Sequence, residues 1–348
     1  MIYLEFEISL DNGAIARFDL NDSKINYSAI RNVLSESSCI EVIENVKKIS
    51  GKKCALIFGN CQTEQLNKIF WRHIQFNREY FLLQIPAVCD YKDWIVEFIF
   101  GGGGQFLQQV DLFISQHVKE ANRFGTKIAT KNIVTQLRED AKIIWIPNAY
   151  FDGYFPQYTH NARNIVINDE PTGLFPNGDR FIDEIMENSE MNPDIEKILD
   201  RICDPDFISP EIIQNQTEKS LDELKNREWI CDVKISDYIE DNFRDEQIFW
   251  SINHPSSLVL FELAKRIWRL IGMRSENFLD REMLFNPEDI YGLRIQDIPI
   301  YPSVQRFFGF KKCLDKYFAN QLTWNLHADF RTFSREYILK CWAEKFTR

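Results

Sequence analysis

A short apolar run followed by a tight turn and a helix is the feature that most constrains the fold of this chain. Residues 54–58 read Cys-Ala-Leu-Ile-Phe and lie between Lys52-Lys53 and the turn Gly59-Asn60-Cys61. Such a run is typical of a buried parallel strand. From residue 62 to about residue 73 the apolar residues recur at helical spacing. Strand, turn and helix together predict the opening of an α/β unit.

The same pattern recurs along the chain. Apolar runs at residues 81–85, 111–115 and 142–146 predict three further short strands. Beyond residue 178 we expect mostly helices, at about 179–188, 193–203, 216–242, 256–271, 304–318 and 333–346. The predicted fold class is therefore α/β and predominantly helical. A small parallel-sheet subdomain of the SGNH or flavodoxin-like kind is expected to be embedded in a larger helical fold.

Three consecutive parts are predicted. Residues 1–50 form an N-terminal extension with a β-hairpin and a helix, because Asn12-Gly13 between alternating segments is a strong hairpin signal. Residues 51–175 form the α/β subdomain with the Gly59 turn and a loop-rich stretch, and long ordered loops are commonly functional. Residues 176–348 form a helical part that packs on it.

Charge and cysteine usage exclude several classes of partner. The net charge of −11 disfavours nucleic acid, because affinity for phosphate backbones comes from Lys and Arg. No apolar run approaches the ~18 residues that span a bilayer, and we expect no signal peptide. The eight cysteines are scattered without zinc-like spacing, so the sequence predicts a cytoplasmic protein with reduced thiols and no metal.

Cys61 is the candidate nucleophile. A nucleophile on a sharp turn between strand and helix is exposed at the top of a sheet. We expect the helix N-terminus to lower the pKa of the Cys61 thiol, since its free N–H groups and dipole favour the thiolate. The same N–H groups can hold a developing oxyanion, and the Asn60 side chain can add a donor. The alternative is that Cys61 is only a small residue in a tight turn.

A cysteine nucleophile needs a base, and two of the five histidines have suggestive settings. His254 precedes Pro255, which suits the first position of a helix, where the dipole keeps the imidazole neutral. His117 follows a predicted strand, and ligands bind at the carboxyl ends of parallel strands. The remaining three are interpreted as structural, namely His73, His160 and His327.

Familiar nucleotide and metal motifs do not occur in the sequence. It has no P-loop, no G-x-G-x-x-G after a strand and no H-E-x-x-H. The run Gly101–Gly104 can in principle cradle phosphates, but a bare glycine run is more often a flexible loop.

Four segments, in order along the chain, resemble a known family. They are Gly59-Asn60-Cys61-Gln62, residues 111–116, residues 146–154 with Pro156, and Asn253-His254-Pro255. Over residues 53 to about 300 the chain resembles the WcbI-type capsular polysaccharide biosynthesis family of proposed acetyltransferases. The combination of segments is much more specific than any one of them.

The resemblance implies a pocket for coenzyme A and a Cys–His pair that receives an acetyl group. By position, Cys61 is then the nucleophile and His254 the base, although His117 stays open as the alternative base. Gly59, Asn60 and Gln62 are implied at the oxyanion. The residues implied at the coenzyme A pocket are Ser115, Gln116, His117, Tyr150, Tyr154 and Asn253.

The function expected from the resemblance is an acetyl-CoA-dependent O-acetyltransferase that acts on a carbohydrate in capsular or surface polysaccharide biosynthesis. Arg163 and Arg180 are candidates for contacts to the phosphates of the donor. Transfer through an acyl-enzyme and direct transfer are both allowed. Two alternatives remain: an SGNH-like thiol or ester hydrolase, and a carbohydrate- or nucleotide-binding module in which Cys61 is structural. Tight coenzyme A binding distinguishes the transferase from the hydrolase.

Overall fold

The computed structural model describes most of the chain and divides it into two compact units. It describes residues 5–9, 15–19, 24–26, 36–101, 104–159, 165–167, 170–172, 178–189, 193–278, 292–294, 297–310, 313–321 and 324–346. The first unit contains Met1–Asn148, Arg227–Ile235 and Ser257–Gly292, and the second contains Ala149–Asn226, Ser236–Ser256 and Leu293–Arg348. Each unit is assembled from three separate stretches, so its bounds differ from those of the three consecutive parts predicted from the sequence.

The described residues form twelve α-helices. In chain order these are α1 (Glu36–Ser50), α2 (Cys61–Trp71), α3 (Ile74–Glu79), α4 (Asp93–Phe100), α5 (Thr130–Val134), α6 (Arg180–Glu187), α7 (Ile195–Ile202), α8 (Pro210–Glu228), α9 (Ser236–Asn242), α10 (Ser257–Leu270), α11 (Pro302–Phe308) and α12 (Phe330–Phe346). Within the described ranges, no helix has the length and apolar character needed to cross a bilayer.

The strands of the first unit form a hairpin and a parallel sheet. They are β1 (Glu5–Ser9), β2 (Ile15–Asp19), β3 (Lys24–Asn26), β4 (Lys53–Phe58), β5 (Tyr80–Gln84), β6 (Leu112–Gln116) and β7 (Lys142–Ile146). β1 and β2 pair antiparallel, as the hairpin prediction requires, and its turn Asp11-Asn12-Gly13 lies outside the described residues. The other five strands form one sheet in the order β3-β5-β4-β6-β7. The four apolar runs of the sequence are therefore its strands β4 to β7.

The strand order reverses at β4. β5, which follows β4 in the chain, pairs on one side of it, whereas β6 pairs on the other side. Phe58 at the end of β4 is in register with Ser115 near the end of β6. In open α/β sheets, ligands bind outside the carboxyl ends of the strands at such a reversal. The residues that follow β4 and β6 therefore occupy the favoured position for a site.

The base of this position is a close-packed core. Residues 54–58 of β4 are fully buried, as expected for a parallel strand covered on both faces. The ring of Phe58 packs against Phe100 and Phe113, with centroids 5.7 and 6.0 Å away. Helix α10, which belongs to the same unit, packs against α2. The rings of Phe70 on α2 and Trp268 on α10 have centroids 5.4 Å apart. The turn after β4 thus starts from a rigid strand.

His73 is structural, as interpreted from the sequence. It is buried and packs against the ring of Trp268, with ring centroids 4.1 Å apart and planes tilted by 35°. Its Nδ1 accepts a hydrogen bond from the backbone N–H of Phe76 at 3.0 Å, and its Nε2 lies 2.8 Å from the carbonyl oxygen of Arg274. Both ring nitrogens are therefore used in packing α3 onto the unit.

The second unit combines helices with short hairpins. Its strands are β8 (Ile165–Ile167), β9 (Glu170–Thr172), β10 (Phe249–Ser251), β11 (His254–Pro255), β12 (Tyr317–Gln321) and β13 (Trp324–Ala328), paired as three antiparallel hairpins. The predicted helix 304–318 is wrong beyond residue 308. Gly309 ends α11 in the left-handed conformation (φ 63°), which suits a helix C-terminus, and β12 follows.

The predicted helix 216–242 is also two helices, α8 and α9. The segment between them leaves the helical conformation to bind the edge strand β7. Asp232 and Val233 donate backbone hydrogen bonds to the carbonyl oxygen of Trp145, at 3.0 and 3.3 Å. The N–H of Trp145 donates in turn to Asp232 Oδ2 at 2.7 Å. Pairing of an otherwise open sheet edge outweighs local helix propensity here.

Asp111 fastens the amino-terminal end of the sheet, opposite the candidate site. Its carboxylate accepts hydrogen bonds from Lys47 at 2.8 Å, from Arg138 at 2.6 Å and from the backbone N–H of Cys54 at 2.7 Å. Burial alone acts to raise the pKa of Asp111, but these three partners outweigh it and hold the pKa below its usual value.

We predict that Asp111→Asn lowers the free energy of unfolding by about 2 kcal/mol, because hydrogen bonds to a charged, mostly buried group are lost. Urea denaturation at pH 7 measures this. Asp140→Asn is the matched control, since Asp140 pairs with the same Arg138 but is largely exposed, and we expect it to cost less than about 1 kcal/mol. The difference from wild type should be complete above about pH 4 and shrink as the pH falls through the lowered folded-state pKa. Equal effects of the two variants would contradict this account.

Candidate active site

The turn after β4 presents Cys61 as the first residue of helix α2. Asn60 is the N-cap, and its Oδ1 accepts a hydrogen bond from the N–H of Gln62 at 3.0 Å. Thr63 donates its N–H and its hydroxyl to the carbonyl oxygen of Asn60, at 2.9 and 2.7 Å. These bonds satisfy helix donors that otherwise lack a partner. The sequence prediction that Cys61 lies between a strand and a helix N-terminus is therefore confirmed.

Gly59 is required by a close approach. A Cβ atom at this position would lie 2.4 Å from Gln116 Oε1 and 2.8 Å from the Thr63 methyl group, and the backbone has a positive φ of 156°. The space that a side chain would fill is occupied by the side chain of Gln116, which comes from the end of β6. Glycine thus lets β6 reach the turn.

Four side-chain amides form a connected network, here called the amide ring: Asn60, Gln62, Gln116 and Asn148. Gln116 Oε1 accepts from the N–H of Asn60 at 2.9 Å, and its Nε2 donates to Gln62 Oε1 at 3.3 Å. Asn148 Oδ1 accepts from both Gln62 Nε2 at 2.8 Å and Asn60 Nδ2 at 3.0 Å. The ring joins the last residue of β6 to residues that follow β4 and β7, and it holds the residues on both sides of Cys61.

Asn148 is a site residue that the sequence analysis did not single out. It follows β7 by two residues. Because the carboxyl ends of parallel strands meet at one edge of a sheet, polar residues just after each strand are expected to lie close together. Applying that rule to the run at 142–146 would have identified it.

The Cys61 thiol is not activated in the way the sequence suggested. Burial raises its pKa to about 12, with further contributions from Cys89, Glu64 and Asp90. The hydrogen bond to its own backbone N–H acts in the opposite direction but is outweighed. A lowered pKa was expected from the helix N-terminus alone. That expectation missed the segment 87–90, which is bound to the turn through Val88 N–H to Gly59 O at 2.9 Å.

His254 lies in the second unit, on β11. The prediction that Pro255 opens a helix is wrong, because Pro255 pairs with Phe249 in the β10–β11 hairpin and α10 begins at Ser257. The neutral imidazole expected of a base is nevertheless present, since burial lowers the pKa of His254 to about 4. Its Nδ1 is buried and has no hydrogen-bond partner within the described residues.

His117, the alternative base, is used in a different way. Its exposed ring stacks on Trp145 with centroids 4.3 Å apart and planes 15° from parallel. Its Nε2 lies 3.3 Å from the carbonyl oxygen of Ile230, so that nitrogen carries the proton. These contacts stabilise one orientation of the His117 ring.

The remaining residues expected at the coenzyme A pocket differ in how deeply they are buried. The Ser115 hydroxyl is buried and donates to the carbonyl oxygen of Gln116 at 2.7 Å. Tyr154 lies in the core of the second unit rather than on a ligand-facing surface, with its hydroxyl donating to Phe243 O at 2.7 Å. Tyr150 is half-buried, and Asn253 occupies the turn of the β10–β11 hairpin.

Some of the residues named in the sequence analysis lie outside the described residues. Arg163, His160 and the glycines at 102 and 103 are not among the described residues. Arg180 begins α6, and its guanidinium lies 4.8 Å from the centroid of the Phe181 ring. In the part of the chain that the structure covers, no group of three or more His, Cys, Asp or Glu side chains is arranged to hold a metal ion.

Comparison with known proteins identifies the family. A family model described as the polysaccharide biosynthesis enzyme WcbI matches residues 54–276, which is more than half of the chain. The chain belongs to the WcbI family. A comparison with curated proteins finds no match.

A solved structure of a WcbI protein has the same fold. It is described as a novel polysaccharide biosynthesis enzyme, in native form without a disulfide bond between coenzyme A and one of its cysteines. The two structures superpose with a TM-score of 0.66 over 84% of this chain and 90% of that one, at 18% sequence identity. This similarity extends beyond the residues that the family model matches.

We predict that alkylation of Cys61 in this WcbI-family protein accelerates about tenfold per pH unit from pH 7 to pH 10 without a plateau. The reason is that only the thiolate reacts, and the pKa of the thiol is about 12. Iodoacetamide labelling followed by peptide mass spectrometry measures the rate at Cys61 separately from the other cysteines. The urea-unfolded protein is the control, and its rate should level off near the ordinary thiol pKa of about 8.5. A plateau below pH 8 in the folded protein would show that the helix N-terminus dominates.

We predict that Gly59→Ala destabilises the protein by about 1–3 kcal/mol, because the new methyl group collides with Gln116 and Thr63 and breaks the amide ring. Denaturant unfolding measures the change. Gly125→Ala is the matched control, since Gly125 also has a positive φ but a Cβ there meets nothing within 4 Å. In a Gln116→Ala background the cost of Gly59→Ala should fall, because its nearest obstacle is gone. An unchanged cost in that background would refute the collision.

Proposed function

We propose that this WcbI-family enzyme transfers an acetyl group from acetyl-CoA to a hydroxyl group of a carbohydrate, with Cys61 as nucleophile and His254 as base. One observation carries the proposal: Cys61 begins a helix at the carboxyl ends of β4 and β6, where the strand order reverses, and is flanked by two members of the amide ring. The family supports a carbohydrate acceptor, and the description of the solved WcbI structure associates coenzyme A with a cysteine.

The high pKa of the Cys61 thiol requires a base in the first step. A thiol with a pKa of about 12 is protonated near pH 7, so the attacking thiolate must be generated as the reaction proceeds. His254 suits this role because its own pKa of about 4 keeps the ring neutral and able to accept a proton.

The first half-reaction is thiol–thioester exchange. Cys61 Sγ attacks the carbonyl carbon of the thioester while His254 takes the thiol proton. The carbonyl π electrons move to oxygen, and then return as the bond to the coenzyme A sulfur breaks. The departing thiolate takes the proton back from His254, which leaves Cys61 acetylated and coenzyme A as the free thiol.

The second half-reaction passes the acetyl group to the acceptor. His254 removes the proton from a sugar hydroxyl, whose oxygen attacks the acetyl carbon on Cys61. The bond between carbon and Sγ breaks, and the Cys61 sulfur recovers the proton. The same residues therefore serve both half-reactions in opposite directions, and the enzyme returns to its starting state.

We place the reaction in the cytoplasm. The cysteines that can be assessed in the described part of the chain are free thiols, which suits a reducing compartment. A protonated, half-buried nucleophile that reacts slowly until its base acts also limits unwanted alkylation and oxidation there.

We predict that the wild-type protein binds coenzyme A and gains the mass of one acetyl group when incubated with acetyl-CoA. Cys61→Ala should retain coenzyme A binding within about threefold but show no acetyl adduct, because the acceptor sulfur is gone. Calorimetric titration and intact-mass spectrometry measure the two properties. Cys203→Ala, which removes a half-buried thiol of the second unit, is the matched control and should be acetylated normally.

The outcomes separate the proposed transferase from its alternatives. No binding of either ligand would overturn the transferase proposal. Binding with release of acetate to water and no transfer to any carbohydrate would favour the hydrolase. If the protein binds a carbohydrate equally well with and without Cys61→Ala, and neither protein forms an acetyl adduct, a binding module is favoured.

A further inference from the structure

We propose that Asn148 is a further catalytic residue, whose side-chain amide donates a hydrogen bond to the thioester carbonyl oxygen as that oxygen becomes an oxyanion. The inference rests on the acyl transfer proposed for Cys61. It assigns to Asn148 a role distinct from that of the two amides beside the nucleophile, Asn60 and Gln62.

Two backbone N–H groups determine how every amide of the ring is oriented. The N–H of Gln62 must meet an oxygen, which fixes Asn60 Oδ1 toward it and turns Asn60 Nδ2 toward Asn148. The N–H of Asn60 likewise fixes Gln116 Oε1, which turns Gln116 Nε2 toward Gln62 Oε1. Gln62 Nε2 is then turned toward Asn148 as well. Asn148 therefore receives two donors and must present its oxygen to them.

The amide nitrogen of Asn148 is consequently directed away from the ring. Within the described residues no acceptor is recorded for Nδ2, and Asn148 is half-buried rather than sealed in the core. Polar groups in folded proteins are usually paired, so a donor that is held in one orientation and left without an acceptor is available to a ligand. Two hydrogen bonds to Oδ1 hold the side chain in place before any substrate binds.

The helix N-terminus by itself supplies few donors to an oxyanion. Gln62 N–H is used by the Asn60 side chain, and Thr63 N–H is used by the Asn60 carbonyl. The N–H of Cys61 already forms hydrogen bonds that act on the Cys61 and Cys89 thiols. A fixed donor aimed at developing charge is worth most when it needs no reorganisation during the reaction. The Asn148 side chain is already held by two hydrogen bonds to its Oδ1, so its Nδ2 would provide a donor that the start of the helix lacks.

The role can be separated from simple positioning by comparing two reactions of the same thiol. Acetylation of Cys61 forms an oxyanion when Sγ adds to the carbonyl carbon. Alkylation of Cys61 by iodoacetamide displaces iodide in one step at a saturated carbon and forms no oxyanion. A lost oxyanion donor should therefore slow acetylation only, whereas a changed thiol pKa or a misplaced turn should slow both reactions.

The decisive variant is Asn148→Asp, which keeps oxygen acceptors for Asn60 and Gln62 but has no amide donor. Asn148→Ala is the second variant, and it removes both the acceptor and the donor. Asn226→Asp makes the same change at an exposed position of α8 and is the matched control. All proteins are full-length, and denaturant unfolding is recorded for each.

We expect single-turnover acetylation of Cys61 by acetyl-CoA to fall about 10²–10³-fold in both Asn148 variants, the usual effect of losing one oxyanion donor. Alkylation by iodoacetamide at the same pH should change less than about tenfold, and coenzyme A affinity should stay within about threefold. Asn226→Asp should match wild type in every measurement.

The contrary outcomes are distinct. Acetylation of Asn148→Asp at the wild-type rate would overturn the inference while leaving the transferase intact. Equal losses in acetylation and alkylation would show that Asn148 acts only through the position or pKa of Cys61, which also overturns it. If Asn148→Asp does not fold, the same comparison in Asn148→Ala decides. Absence of any acetylation in the wild-type protein would overturn the proposed function itself, and this inference with it.

Discussion

The parallel pairing of β4 with β6 is the constraint on which the candidate site depends. It places Phe58 beside Ser115, so the turn that follows one strand lies next to the residues that end the other. Gln116 then reaches the N–H of Asn60 only because Gly59 has no side chain. From that single contact the orientation of the remaining amides follows, including that of Asn148 after β7. The chemistry proposed for Cys61 thus originates in strand order.

Two opposing influences act on the Cys61 thiol, and their balance is the reason that the proposed mechanism includes a base. The start of α2 favours a thiolate through the helix dipole and the backbone N–H of Cys61. Burial disfavours the thiolate, as do Cys89, Glu64 and Asp90, and together they raise the pKa of Cys61 well above that of an ordinary thiol. Desolvation lowers the reactivity of the free thiol because it raises the thiol pKa. The same desolvation strengthens any hydrogen bond to an oxyanion formed beside the thiol. In the proposed mechanism, the low reactivity of the free thiol and the stabilisation of the oxyanion therefore share one physical cause.

Local patterns in the sequence predicted four of the five strands of the sheet and the turn that carries Cys61, but they did not predict β3. Strands β4 to β7 are continuous apolar runs, and the N-cap and helix that follow β4 are local features. Long-range pairing was not readable in the same way. The break between α8 and α9 depends on Asp232 binding Trp145, and the position of Pro255 depends on pairing with Phe249. The raised pKa of Cys61 likewise depends on a segment about thirty residues away in the chain, which spacing alone cannot reveal.

The pairing of edge strand β7 with the segment between α8 and α9 has a consequence for folding during translation. The backbone N–H and carbonyl groups of Trp145 are satisfied by a segment synthesised 87 residues later. At ribosomal elongation rates of about 5–20 residues per second, synthesis of those residues takes roughly 4 to 17 seconds, during which that edge has no cover from this segment. An unpaired sheet edge is a template for pairing with another chain. Neighbouring ribosomes on one message therefore expose complementary edges at the same time, and chaperone demand during translation should concentrate between these two points of the sequence.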